Sequence, residues 1–384
     1  MTDLIERLKR GRLGPRGIER LLRSQCFPLV EPAGVTFVYR GGAEAVRLRH
    51  WLHGLPGEQP LERVDGSDLW RLFIEIPPES RFEYKFEVVE NGAERWINDP
   101  LNPILAHDPF GANSVCATFG YARPAWTLED PDARPGSIDE HRLHSVAFGD
   151  ERTFKLYLPA RFRRSRRYPL LIVHDGTDFL RYADLRIVLD NLIHRRAVAP
   201  LIAALTDPVD RLGEYRGSSE HARFLVDELL PWLQATLPVR RTPAARALMG
   251  ASLGAVASLI SAWRHPGVFG NLVLQSGSFV LSNTGPRPRD PLFDRVAAVM
   301  QAYCAAPGRP ADRVYVSCGI YEGLIHENRA MVPFFRDQGL AVRYEEARDG
   351  HHWENWRDRL YSALSWLAMS WKPRARPHAS LSAR

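Results

Sequence analysis

Residues 245–263 read Ala-Arg-Ala-Leu-Met-Gly-Ala-Ser-Leu-Gly-Ala-Val-Ala-Ser-Leu-Ile-Ser-Ala-Trp, and this stretch restricts the fold more than any other in the chain. Ala247, Leu248 and Met249 read as the end of a short buried strand. Ala255 to Trp263 reads as a helix with small residues on its near side. Between them lies a G-x-S-x-G turn, Gly250 to Gly254. Glycines two residues to either side of Ser252 let strand and helix approach closely, so the serine sits on a sharp, strained turn above a sheet. A chain of this length shows G-x-S-x-G by chance about one time in ten, so the strand and helix around it carry the signal. A serine that merely caps the helix is the plainer reading.

The surroundings extend this unit. From residue 145 onward strands alternate with helices. Arg152–Leu158 is an entry strand, and Pro169–Val173 is a continuous apolar run of the kind a buried parallel strand requires. Further strands are expected at Leu201–Leu205, Asn271–Gln275, 313–318 and Val342–Glu345. Helices are expected at 182–195, 219–235, 292–304, 327–338 and from Trp356 to Trp371. The pattern predicts an α/β domain over 145–372, a mostly parallel doubly wound sheet with right-handed crossovers.

At 384 residues the chain exceeds what one core usually organises, so a second domain is expected. Two short helices, 2–10 and 16–25, occupy an N-terminal segment, 1–30. The pattern then changes to period two. Val35–Tyr39, Ala45–Leu52, Leu69–Ile76 and Phe82–Val89 are strands, Asn91-Gly92 is a hairpin signal, and Trp96 resumes a strand. Residues 31–122 therefore predict a small all-β sandwich preceding the α/β domain, with Trp70 and Trp96 as core residues rather than a sugar-binding surface. Residues 123–144, rich in Pro, Asp and Arg, read as a linker wrapping back over the second domain. Residues 373–384 read as a disordered tail.

A net charge of +6 with Arg-rich runs such as Arg161–Arg167 raises the question of nucleic acid, but acidic residues are nearly as numerous and no base-stacking platform accompanies the runs. The run reads as a solvated loop, and the positive balance favours an anionic small-molecule substrate. Cys26, Cys116, Cys304 and Cys318 show no metal or redox spacing. Cys318 reads as a small core hydrophobe. The N-terminus lacks the apolar core of a secretory signal, and no run approaches the ~18 apolar residues of a membrane span. A cytoplasmic protein with no membrane partner is the expectation. The oligomeric state stays open.

A serine hydroxyl needs an adjacent base. The G-x-S-x-G unit in this setting resembles the elbow of α/β-hydrolases, whose triad runs Ser, acid, His. The base follows the last core strand, where Asp349-Gly-His-His352 offers two histidines. His351, directly after Gly350, is favoured over His352, which is left as a helix cap or substrate contact. The acid follows the preceding strand, where Glu322 is the best candidate, with Glu327 and Asp349 as rivals and a Ser–His dyad as an alternative. The oxyanion hole takes the N–H of Leu253 and, from the loop after Pro169–Val173, that of Thr177. Asp175 in the same loop and Arg211 in Arg211-Leu-Gly-Glu-Tyr215 are candidate substrate contacts, with an Arg211–Glu214 salt bridge as the structural reading of the latter.

Gly250–Gly254, Phe269-Gly-Asn-Leu-Val-Leu-Gln-Ser-Gly-Ser278 and Gly350-His-His-Trp-Glu-Asn-Trp-Arg357 together resemble the putative-esterase family, which includes enterochelin esterases, esterase D and feruloyl esterases. Tyr84-Lys-Phe86, Gly92, Trp96, Asp99-Pro100 and Phe110–Ser114 resemble the early-set immunoglobulin-like domain found in front of enterochelin esterases and glycogen-active enzymes. Two positions depart from the family pattern: Ala255 stands where many members have glycine, and His352 where relatives usually carry Asn or Asp. The resemblance implies a serine esterase acting on a small-molecule ester, foremost a ferric catecholate siderophore such as ferric enterobactin. It implies no metal or organic cofactor, iron arriving only within a substrate. A feruloyl- or acetyl-type glycan esterase and a non-catalytic hydrolase-fold binding protein are the alternatives.

Overall fold

The computed structural model describes residues 6, 8, 10, 13–282 and 290–371. Most of the expected helix 2–10 and the expected tail 373–384 lie outside the described residues.

The second half of the chain builds an eight-stranded sheet. Its strands, numbered with those of the whole chain, are β11 (Ser137–Ser145), β12 (Asp150–Leu158), β13 (Leu170–His174), β14 (Ile202–Thr206), β15 (Arg246–Ala251), β16 (Asn271–Gln275), β17 (Arg313–Gly319) and β18 (Ala341–Ala347), in the spatial order 11-12-14-13-15-16-17-18. From β14 to β18 every pairing is parallel, while β11–β12 and β12–β14 are antiparallel. The four central strands β13 to β16 are buried along their whole length, which is why their middles read as apolar runs, with polar residues only at their ends. Helices cover both faces. One core gathers Leu248, Leu272 and Val314 under helix Leu253–Arg264, and the other gathers Met249, Val273 and Leu360 under helix Trp353–Trp371. The fold is that of an α/β-hydrolase.

Before it stand two antiparallel sheets. One orders β1 (Leu29–Glu31), β2 (Gly34–Arg40), β6 (Leu69–Ile74) and β5 (Glu62–Arg63). The other orders β4 (Glu58–Pro60), β3 (Ala45–His50), β7 (Arg81–Glu90), β10 (Gly111–Ala117) and β9 (Leu105–Asp108), with β8 (Ala93–Ile97) also on β7. Between them Phe37, Phe82, Tyr84 and Phe86 form an aromatic core of edge-on and tilted rings.

Several expectations change. The segment 137–144, expected as linker, is the edge strand β11, whose alternating polar residues left it no apolar period to detect. Residues 123–128 do wrap onto the α/β domain: Asn191 Nδ2 donates to the Trp126 and Leu128 carbonyls, and Trp126 packs on Tyr361. Trp70 is core, as expected, but Trp96 is 52% exposed, with Nε1 bonded to Glu87 and the Arg49 guanidinium over its ring. The helix expected at 182–195 is two, Gly176–Tyr182 and Leu185–His194. Among the described residues, no helix is long and apolar enough to cross a membrane.

Candidate active site

In a parallel sheet all strands end on one edge, and loops leaving that edge carry the site. Ser252 follows β15, Ser276 follows β16, Glu322 follows β17 and His351 follows β18, on four neighbouring strands.

Ser252 has φ 56° and ψ −120°, a conformation that costs a non-glycine residue about 1–3 kcal/mol. The end of β16 holds it there: the Ser252 N–H donates to the Gln275 carbonyl at 2.9 Å, and the Ser278 N–H donates to the Ser252 carbonyl at 3.2 Å. A β-carbon at Gly250 would collide with the Gly254 carbonyl, so the first glycine is a steric requirement of the turn. Leu253 opens helix Leu253–Arg264, so its N–H has no acceptor within the helix and stays available at the serine. The Ser252 and Ser278 hydroxyl oxygens lie 3.3 Å apart.

Glu322 is buried and His351 is partly exposed, with Nδ1 2.7 Å from Glu322 Oε2. The other carboxylate oxygen accepts from the Ser276 hydroxyl and the Gly319 N–H, both at 2.7 Å, and from Asn355 Nδ2 at 3.2 Å. Burial by itself would raise the Glu322 pKa. The facing His351 charge and the bonds from His351, Ser276 and Gly319 outweigh it and hold the carboxyl below its ordinary value. Ser276 is oriented in turn by Trp356 Nε1 at 2.9 Å, and the Trp356 ring meets His351 edge-on at 5.1 Å. A carboxylate so placed fixes an imidazole with Nδ1 protonated and Nε2 free to take a proton.

The rivals for the acid lie elsewhere. Glu327 is in the first turn of helix Ile325–Asp337, and Asp349 faces Arg81 of the sandwich at 3.3 Å.

Three expectations need correction. The Thr177 N–H donates to Asp207 Oδ1 at 2.9 Å, and its hydroxyl also bonds that carboxylate, so this amide is engaged rather than free for an oxyanion. His352 turns away from the site. It folds back over Gly350 and sits with Nδ1 3.3 Å from Glu83 of the sandwich, where burial and the nearby Arg81 charge push its pKa down to about 3. The contact is therefore with a neutral ring, and it lies against the other domain. Arg211 pairs with Asp175, at 2.9 and 2.8 Å, and not with Glu214. These two candidate substrate contacts thus occupy each other, with 40% of the Arg211 side chain still exposed. Glu214 instead meets Arg152 at 2.6 Å and His221 at 3.4 Å, and His221 continues to His174 beneath the elbow.

Gln275, Ser276, Ser278, Asn355 and Trp356 lie in the stretches that carry the family resemblance but were given no role in the site from sequence. The usable signal was their place: Gln275 ends a buried parallel strand and Ser276 directly follows it, where a polar pair belongs to the site edge.

The family profile described as "Putative esterase" matches residues 145–367. An uncharacterized protein of Bacillus subtilis strain 168, YjcH, is 30% identical over 148 residues, which are 37% of this chain and 62% of that protein. The iron(III) enterobactin esterase of Escherichia coli K12 is 23% identical over 339 residues, 82% of each chain. The crystal structure of the Shigella flexneri enterobactin esterase, determined in the presence of enterobactin, superposes with a TM-score of 0.72 at 20% identity, covering 88% of this chain and 94% of that one. The superposition speaks for the fold, and the profile, spanning more than half the sequence, for the lineage: this chain belongs to that esterase family.

Proposed function

We propose that the protein is a serine esterase in which Ser252, His351 and Glu322 form the catalytic triad. The observation that carries this is a backbone-strained serine on one loop with, two and three strands away, a buried, fully hydrogen-bonded carboxylate and the part-exposed imidazole it holds. His351 Nε2 takes the Ser252 hydroxyl proton as Oγ attacks the ester carbonyl. The oxyanion of the tetrahedral intermediate accepts from the Leu253 N–H. Collapse breaks the ester C–O bond, and His351 returns the proton to the leaving alcohol. Water, deprotonated by the same imidazole, then releases the acid and restores Ser252.

For the substrate, the reading is a ferric catecholate siderophore ester of the enterobactin type. The relatives named for that substrate match both domains rather than the α/β half alone, and Arg211 lies beside the elbow. The test is hydrolysis of p-nitrophenyl acetate and of ferric enterobactin side by side, with Ser252→Ala as control. The expected result is turnover of both, falling by at least about 10⁴-fold in the variant. Turnover of the small ester alone would retain the triad and overturn the siderophore substrate. Turnover of neither would overturn the esterase reading.

A further inference from the structure

Both loops that carry the proposed base and acid are held from outside the α/β domain. The acid loop, 319–323, meets the sandwich through its middle residue: the His53 N–H donates to the Tyr321 carbonyl at 2.8 Å, and the Tyr321 and Ser80 hydroxyl oxygens lie 2.6 Å apart. The base loop, 348–352, is held more closely. The Arg81 N–H donates to the Arg348 carbonyl at 2.8 Å, which adds one strand-like bond across the domain boundary at the first residue of β7. The Arg81 side chain is 3% exposed, and its guanidinium reaches Asp349 at 3.3 Å, Glu354 at 3.0 Å and Glu83 of its own strand at 3.1 Å. Asp349 Oδ1 also accepts the Gly350 N–H at 2.7 Å, and the Asp349 carbonyl accepts the Tyr321 N–H at 3.2 Å, tying the two loops together. His351 therefore lies between Asp349 and Glu354, two residues bound by one buried cation of the other domain.

A buried guanidinium in a low-dielectric site is held where its carboxylates are, and it holds them in return. Burial opposes its charge, while Asp349, Glu354 and Glu83 together keep it charged. The fork geometry suits one cation serving several carboxylates, which a lysine cannot copy fully. The profile of the family begins at residue 145, after the sandwich has ended, so this support lies outside the family's common unit.

We propose that Arg81 is a positioning residue for His351, making the sandwich a structural part of the catalytic site. This rests on the triad assigned above. Loss of the guanidinium frees the 348–352 loop and lets the imidazole leave its bond to Glu322, which lowers the rate of chemistry without touching the place where substrate binds.

The experiment is steady-state hydrolysis of p-nitrophenyl acetate by the full chain carrying Arg81→Gln, Arg81→Lys or Tyr121→Phe. Melting temperature and the rate of Ser252 labelling by a fluorophosphonate are measured on the same samples. Tyr121 donates to Asp358 across the same boundary at 2.9 Å and, among the described residues, makes no hydrogen bond to either loop, so loss of its hydroxyl controls for domain adhesion. The expected result is a fall in kcat of about 10²-fold for Arg81→Gln with KM little changed, as a misplaced catalytic group produces. Labelling slows in parallel, Arg81→Lys recovers part of the loss, and Tyr121→Phe keeps wild-type kcat. Wild-type kcat in a folded Arg81→Gln protein would overturn the proposal. So would an equal loss in Tyr121→Phe, or a loss that follows only the unfolded fraction. If Arg81→Gln does not fold, the folded Arg81→Lys decides: unchanged kcat overturns the proposal, and reduced kcat at unchanged KM supports it. A wild-type protein inert to both ester and fluorophosphonate would overturn the triad itself, an outcome distinct from the others.

Discussion

Glu322 gathers four donors on two oxygens: His351, Ser276, the Gly319 N–H and Asn355. A glutamine there would present an N–H₂ to one of these donors and lose the charge that stabilises an imidazolium. Glu322→Gln is expected to lower kcat by up to about 10⁴-fold, read on any activated ester. The same residue sets a pH dependence. Its folded-state pKa is held below the ordinary value, so its contribution to stability is present above the ordinary carboxylate range and is lost as pH falls through the depressed value. Urea unfolding of wild type and Glu322→Gln should therefore separate at pH 7 and converge below about pH 4. Arg211 belongs to the same scale. Paired with Asp175 and part-exposed, it can meet an anionic substrate only by sharing or leaving that carboxylate.

At the scale of the element, the elbow is a strand and a helix joined too closely for side chains at its ends. Gly250 faces the Gly254 carbonyl and the Ala255 nitrogen, which are backbone and cannot yield. A β-carbon at Gly254 would instead lie 3.2 Å from the His174 β-carbon and 3.3 Å from Asp175 Oδ2, side-chain atoms that can shift slightly. Gly250→Ala is expected to cost about 2 kcal/mol or more by denaturant unfolding, with kcat falling as Ser252 is displaced. Gly254→Ala should cost less in both. Equal effects would place the steric limit elsewhere. The adjoining loop shows the opposite case: Asp175, at φ 54°, turns the chain so that Thr177 bonds Asp207.

Across the whole molecule, the domain boundary is charged and buried. One Arg81 faces Glu83, Asp349 and Glu354. Burial pushes Asp349 up to about 7; Arg81 and the Gly350 N–H pull against it, while Asp358 and Glu83 add to it. With the folded pKa above the unfolded one, folding takes up a proton between about pH 4 and 7. Stability from this residue is greatest at the acid end of that window and falls as pH rises through it. Asp349→Asn keeps the oxygen acceptor and removes the charge. Its melting temperature should exceed that of wild type at pH 8 and approach it near pH 5. A variant that melts lower than wild type at pH 8 would show instead that Arg81 needs all three carboxylates.

What the sequence determined by itself is what repeats locally. Continuous apolar runs with helical spacers specify a parallel sheet, alternation in 35–89 specifies antiparallel sheets, and a glycine on each side of Ser252 specifies the turn, because each follows from the nearest neighbours along the chain. The order of loops after successive strands was legible for the same reason, and it singled out His351 and Glu322. Tertiary structure alone decided which polar groups face one another. Thr177 lost its free amide to Asp207, and Arg211 took Asp175 over Glu214. His352 was drawn to a carboxylate 269 positions earlier in the chain. Such pairings depend on distance in space and on burial, and neither is written in the spacing of residues. The largest of them, the sandwich's hold on the loops that carry Glu322 and His351, runs between segments that carry no common motif.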